Sequence, residues 1–464
     1  MKQDHHDSQP TELNSPLEKV FNKIITPFEE FIHKETTSGI LLMICAVAAL
    51  FIANSALYGT YQSILHATVG ITLGPWMLEK SLHHWINDGL MALFFLVVGL
   101  EIKREVIVGE LSDIRQASLP IVAAIGGMVV PALAYAVFNF GTDGIAGWGI
   151  PMATDIAFAV GALVMLGARV PKGLLTFLVA LAIVDDLGAV IVIALFYTEQ
   201  IHLQALALSG VCLVVLVGFN LVGIRKPLPY FLVGLIMWVA MLKSGVHATL
   251  AGVLTALTIP ARPKYQPTEF SHFMRKLLDK FDRSHRPNES IMNNSEQRSI
   301  LQTFENGIHM VETPLQRMEH NMHIPVAFLI IPIFALANAG VPIEISAIGE
   351  SLSHPITLGI IAGLVLGKLV GISGACWLAL RFGISKLPPG ITFNHIIGVS
   401  LLAGIGFTMS IFIGELAFGG AEHQLLMAKT GILFASLIAG VGGVLWLLMC
   451  SKPSTDTSHQ TSPH

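Results

Sequence analysis

Long apolar runs separated by short polar connectors fill most of this chain. A run of about 20 mostly apolar residues is the length needed to cross a bilayer as a helix. By that measure about twelve spans are expected, near residues 37–57, 86–101, 118–139, 148–168, 173–197, 203–224, 228–243, 245–260, 323–341, 356–380, 393–417 and 425–449. The fold class expected is therefore an all-α polytopic membrane protein. It divides into a tail at 1–36, eight spans over 37–260, a long loop at 261–322, four spans over 323–449 and a second tail at 450–464.

Lysine and arginine positions test that count. One set of alternate connectors carries 23 of the 27 basic residues, the opposite set carries only Lys80, Lys243 and Lys429, and Lys368 is left inside a span. The positive-inside rule then puts both termini and the 261–322 loop in the cytoplasm. Composition agrees, with 53% hydrophobic and 12% charged residues against about 25% charged in soluble domains. A net charge of -4 gives no reason to expect a nucleic-acid partner. The polar N-terminus carries no signal-peptide pattern. The four cysteines lie far apart in or at the end of apolar runs, which suits buried thiols better than disulfides or a metal framework.

Three stretches outside the spans carry a pattern. Residues 17–34 place Val20, Phe21, Ile24, Ile25, Phe28, Phe31 and Ile32 near helical spacing, as an amphipathic surface helix would. Gly74-Pro75 is a turn signal between β-prone runs, so a hairpin is expected over residues 66–80. The middle of the long loop, residues 284–299, reads as disordered.

Charge inside the apolar runs carries the chemistry. Asp155, Asp185, Asp186 and Lys368 all fall at mid-span, where an ionisable group costs at least about 2.5–3.5 kcal/mol and function is its default explanation. Pro151 cannot donate to a helix ladder and disfavours helical geometry at Ile150, so the fourth span is expected to break there. Carbonyls freed by that break, the Thr154 hydroxyl and the Asp155 carboxylate are all oxygen ligands suited to a small hard cation. Asp185 and Asp186 stand about 100° apart on a helix. One can pair with a cation on a neighbouring helix, for which Lys368 is the candidate, while the other faces a cavity. The eleventh span is rich in glycine, with Gly398, Gly404, Gly406 and Gly414 beside Thr408 and Ser410, a pattern that serves either close helix packing or a second break. Interrupted spans in corresponding positions of two halves point to a transporter site.

A second group lies at the cytoplasmic end. Glu101, Arg104 and Glu105 share one helix face, and Glu319, His320 and His323 precede the ninth span. By the residues alone this is ordinary charge at helix ends. Asp88, His247 and Glu415, near other span ends, read as caps or interfacial groups.

Seven motifs in order, ATDIAFA, IVDDLGAV, GLEIKRE, SGVHATLAG, the Gly-Lys pair at Lys368, FALANAGV and GFTMSIFI, resemble the NhaA-type sodium/proton antiporters from about residue 30 to 450. The resemblance implies a secondary transporter, with no enzymatic activity and no cofactor, that exchanges cytoplasmic Na⁺ or Li⁺ for external protons. It implies inverted repeats with two interrupted helices crossing near the midplane of a bacterial inner membrane. Asp155 and Asp186 would form the Na⁺ and proton site beside Thr154, with Asp185 partnering Lys368. Glu101, Arg104, Glu105, Glu319, His320 and His323 would form the pH-responsive region, and a homodimer would join through the hairpin. Two departures from the family pattern stand out: the length of the 261–322 loop, and Leu369 where a proline is more usual.

Two rival readings stand beside this one. A Na⁺-coupled solute symporter would need a recognition group beyond Lys368. An intramembrane serine protease would use the Gly371–Gly374 motif, but its histidine base would have to be His395, at the entry of the next span.

Overall fold

The computed structural model describes residues 35–73, 76–198, 201–262, 267–285, 290–342 and 348–450. The expected amphipathic helix at 17–34 and the Gly74-Pro75 turn lie outside them. The described chain is helical apart from one hairpin. Its first helix, α1 (Glu35–Ala53), turns by 115° into a short α2 (Tyr58–Leu65). Strands β1 (Thr68–Leu73) and β2 (Trp76–Ser81) pair antiparallel from Thr68↔Ser81 to Leu73↔Trp76. Trp85 Nε1 donates to Val69 O (2.9 Å) and pins the hairpin to the next helix.

That helix begins with a π-helical turn, Trp85–Leu90, and continues as α3 (Met91–Val108). There follow α4 (Ile114–Asn139), a 3-10 segment Asp143–Met152, α5 (Ile156–Met165), α6 (Lys172–Phe196), α7 (Leu203–Val222), α8 (Pro227–Leu242) and α9 (Leu250–Thr258). Two helices then leave the apolar pattern, α10 (Pro267–Arg283) and α11 (Ser295–Val311). The chain returns through α12 (Pro314–Pro325), which runs by way of a π turn into α13 (Ile331–Asn338). The remaining long elements are α14 (Pro355–Ile361), a π turn Ala362–Gly367, α15 (Lys368–Arg381), α16 (Phe393–Leu402), α17 (Phe407–Phe418) and α18 (Glu422–Cys450). This is an all-α membrane protein. Among the described residues, six continuous helices are long and apolar enough to cross a bilayer, or nine if each bent pair is one span.

Four expectations need correction. The described part of the loop centre, 284–285 and 290–299, is ordered: Asn294 Oδ1 caps α11 by accepting from Glu296 N (3.2 Å) and Gln297 N (3.1 Å), and its Nδ2 ties back to Ser284 O (2.8 Å). Composition made this stretch look disordered, yet α10 and α11 pack on each other and bury Gln297 and Ile300. The helix placed at 323 begins at Pro314, because a capping box between Thr313 and Gln316 starts it nine residues earlier. The eighth run shrinks to α9, since residues 243–249 form turns around the positive-φ Gly245. Finally, the fourth run breaks at 153–155, beyond Pro151, which is accommodated within the 3-10 turns.

The densest helix crossing joins α4 to α15. A Cβ built on Gly126 would overlap the Gly371 carbonyl, and one on Gly371 would overlap the Gly126 carbonyl. Only bare backbone fits there, as in small-residue helix contacts generally. This crossing fixes α15, and with it Lys368, against the centre of the bundle.

Candidate functional site

Two bent helix pairs meet at the site. The 3-10 segment Asp143–Met152 and α5 are bent by 41°, and α16 and α17 by 48°. Around the first break Ala153 and Asp155 are extended, and around the second α16 ends before Ala403 and α17 begins at Phe407. Breaking a helix frees backbone groups that must find partners away from water. Here each break satisfies the other. Asp155 N donates to Ile405 O (2.7 Å), the Thr154 hydroxyl to Ala403 O (2.9 Å), and the Ser410 hydroxyl to Ile150 O (2.8 Å).

Asp155 is fully engaged. Its Oδ1 accepts from Phe158 N (3.1 Å) as the N-cap of α5, and its Oδ2 accepts from Thr408 N (3.0 Å) and from the Thr408 hydroxyl. Thr408 was read from the sequence only as part of a glycine-rich run. Its role needed the tertiary contact, because 253 residues separate it from Asp155.

Asp185 and Asp186 lie in the middle of α6, both about 1% exposed. Lys368, itself fully buried, brings Nζ to 2.6 Å from Asp185 Oδ2. Neither oxygen of Asp186 has a hydrogen-bond partner among the described residues. It stands within electrostatic reach of Asp185, Glu101, Asp155 and Lys368. A buried ionised carboxylate without a partner costs several kcal/mol. The Asp186 position therefore favours occupation by a proton or a small cation.

The second group of charged candidates is only partly gathered. Arg104 pairs with Glu105 (3.0 Å) and with Glu319, which brings the end of α3 to α12. Glu101 lies within electrostatic reach of all three and of Asp186. His320 and His323 are exposed, and His320 joins the group only through its proximity to Glu319.

The residues read as caps are more varied. Asp88 pairs with His84 (3.4 Å), and His247 Nε2 is bonded to Tyr197 O. Glu415 pairs with Lys429 (2.6 Å) and approaches His83 (3.8 Å). For the protease reading, Ser373 Oγ donates to Leu369 O, while His395 Nδ1 accepts from Thr392 N (3.1 Å) within the α16 capping box. Each is used within its own helix.

Comparison with known proteins decides the family. A family model described as Na⁺/H⁺ antiporter 1 matches residues 29–447. The chain belongs to the Na⁺/H⁺ antiporter family. Among curated antiporters it is 57% identical over 430 residues to Na⁺/H⁺ antiporter NhaA 1 of Saccharophagus degradans, covering 93% of each chain. It is 53% identical over 440 residues to Na⁺/H⁺ antiporter NhaA of Sulfurimonas denitrificans, covering 95% of this chain and 99% of that one. In this member of the family two bent helix pairs, a lysine-paired aspartate and an open aspartate lie together.

Proposed function

We propose that this antiporter exchanges cytoplasmic Na⁺ or Li⁺ for external protons at one buried site, to which Asp186 contributes the exchangeable carboxylate. The observation that carries this reading is the asymmetry of the adjacent pair, with Asp185 neutralised by Lys368 and Asp186 left open. A cation arriving at Asp186 and Asp155 displaces protons, and protons arriving from the other side displace the cation. Competition for one site couples the two gradients without further machinery. If two protons exchange for one Na⁺, each cycle moves one net charge, and the membrane potential helps to expel Na⁺.

The supporting architecture is twelve spans in inverted repeats, with two interrupted helices crossing near the midplane. The nine spans that length and bent pairs allow are joined in this reading by α3, α8 and α9. The sites on the two breaks are those where oxygen ligands and unwound backbone concentrate. Both termini lie in the cytoplasm of a cell with this protein in its inner membrane. The Arg104, Glu105 and Glu319 cluster with Glu101 governs the response to cytoplasmic pH, and the β1–β2 hairpin joins two copies into a homodimer.

Everted membrane vesicles carrying a pH-sensitive dye test the reading. Proton release on adding Na⁺ or Li⁺ but not K⁺ is expected, and Asp186→Asn should reduce it to the background of vesicles lacking the protein. Retained exchange in a correctly inserted Asp186→Asn protein would sink the site assignment.

A further inference from the structure

From the geometry we infer that Glu415, held by Lys429 and His83, is a second proton- and cation-handling site on the route between Asp155 and the face of the membrane opposite Arg104. The inference rests on the antiport reading.

Glu415 lies seven residues after Thr408 on α17, two helical turns and about 10 Å further along, within about 20° of the same face. Thr408 is the residue that holds Asp155. The helix therefore carries one carboxylate partner at its start and a carboxylate of its own two turns away, on one stripe. Phe412 lies between them on that stripe. It is fully buried and packs against Phe95 of α3 (ring centroids 5.5 Å apart) and Phe334 of α13 (6.2 Å).

Beyond this aromatic plug the surroundings become polar. Lys429 Nζ of α18 is 2.6 Å from Glu415 Oε1, and the two side chains are only 13% and 11% exposed. His83, from the turn Leu82–His84, reaches 3.8 Å from the same oxygen and shares a 3.0 Å hydrogen bond with Asn338 Oδ1. Asn338 Nδ2 donates to Asn87 Oδ1 (2.8 Å) and to Phe334 O (3.0 Å), which places this polar layer one turn outside the plug. Tyr61 of α2, within electrostatic reach of Glu415, donates its hydroxyl to Leu336 O (2.7 Å), and His66 stacks on His83. Asp88 lies in the following π turn, within electrostatic reach of His83.

The direction of the route follows from α3. His83 precedes the π turn and Arg104 lies in the last turns of α3, so about 30 Å of helix separates the two charged clusters at the 1.5 Å rise. Glu415 thus serves the end remote from the Arg104 cluster. An incoming proton or cation competes with the Lys429 ammonium for the Glu415 carboxylate. From there it passes to Asp155 and Asp186 when Phe412 moves aside.

The test uses the full chain in right-side-out and everted vesicles, with Na⁺-driven proton flux measured while the pH on one face is varied and the other is fixed. Glu415→Gln should shift the half-maximal pH on the Glu415 face by about one unit, a tenfold change in proton concentration, and leave the profile from the Arg104 face unmoved. The exchanged pair Glu415→Lys/Lys429→Glu restores an ion pair while moving the carboxylate to α18. It should recover thermal stability but not the parent profile. An active parent whose profile is unmoved by Glu415→Gln, a shift of equal size from both faces, or full recovery of the profile by the exchanged pair would overturn this inference alone. Parent vesicles without any Na⁺-driven flux would overturn the antiport reading and this inference together.

Discussion

Lys368 Nζ stands 2.6 Å from Asp185 Oδ2, while Asp186, the next residue on the same helix, has no partner at either oxygen among the described residues. One helical step therefore separates a structural carboxylate from an open one. Buried charges are tolerated when paired, and removing one partner strands the other.

From this pairing, Asp185→Asn should destabilise the protein by about 3–5 kcal/mol, since it strands the Lys368 ammonium in a buried place. The double variant Asp185→Asn/Lys368→Met should recover most of that loss. Thermal unfolding midpoints in detergent for the two singles and the double check it. A double variant no more stable than the singles would show that the pair is not what holds these helices together.

Thr408 gives Asp155 two hydrogen bonds from another break. Thr408→Val removes the hydroxyl and keeps the shape. A hydrogen bond to a charged group contributes about 1.5–3 kcal/mol, so at least a tenfold weaker apparent Na⁺ affinity is expected, with Thr408→Ser close to the parent. Na⁺ titrations of proton flux distinguish the two substitutions. Equal behaviour of valine and serine would remove the hydroxyl from the site.

The α4–α15 crossing makes a contrast between two glycines on one helix. Gly371→Ala would drive a methyl into the Gly126 carbonyl, and overpacking of this kind costs about 1–3 kcal/mol. Gly374→Ala meets nothing within 4 Å and should be neutral or stabilise by up to about 1 kcal/mol through helix propensity. Unfolding midpoints in the same detergent rank them, and a reversed order would show that the crossing is looser than the backbone contact implies.

Burial holds His83 below the ordinary histidine pKa of about 6.5, opposed by Glu415 and the Asn338 hydrogen bond and assisted by Lys429. The unfolded chain then binds more protons than the native one as pH falls through that value. Stability contributed by neutral His83 is complete above about pH 6.5 and is lost progressively below it. His83→Asn should flatten the decline in unfolding midpoint between pH 7 and 5. An unchanged slope would assign the acid sensitivity to another group.

The departures from the sequence reading share a cause. Residues 284–299 look too polar to order alone, but Asn294 and Gln297 find partners on α10 and in the connection after it. Pro151 marked a break to within a few residues, yet the extended segment formed where Ala153, Thr154 and Asp155 could bond to the opposing break. Glu319, His320 and His323, which precede the ninth span in the sequence, share helix α12. The distance of the two histidines from Arg104 depends on how α12 meets α3, and both stay exposed beside the buried Glu319.

What the sequence determined by itself was whatever depends on local chain chemistry. Apolar length made the helices, because a bilayer supplies no hydrogen bonds and the backbone must satisfy itself. The rarity of charge at that depth picked out Asp155, Asp185, Asp186 and Lys368, since each would cost too much to keep without a role. Only the tertiary structure decided which of the two adjacent aspartates takes the lysine, that Asp155 is held by Thr408, and that Glu415 faces Lys429 and His83. Those choices depend on the rotation and depth of helices far apart in the chain. A helix can be read from its own residues, whereas the partner of a buried charge is set by the helix packed against it.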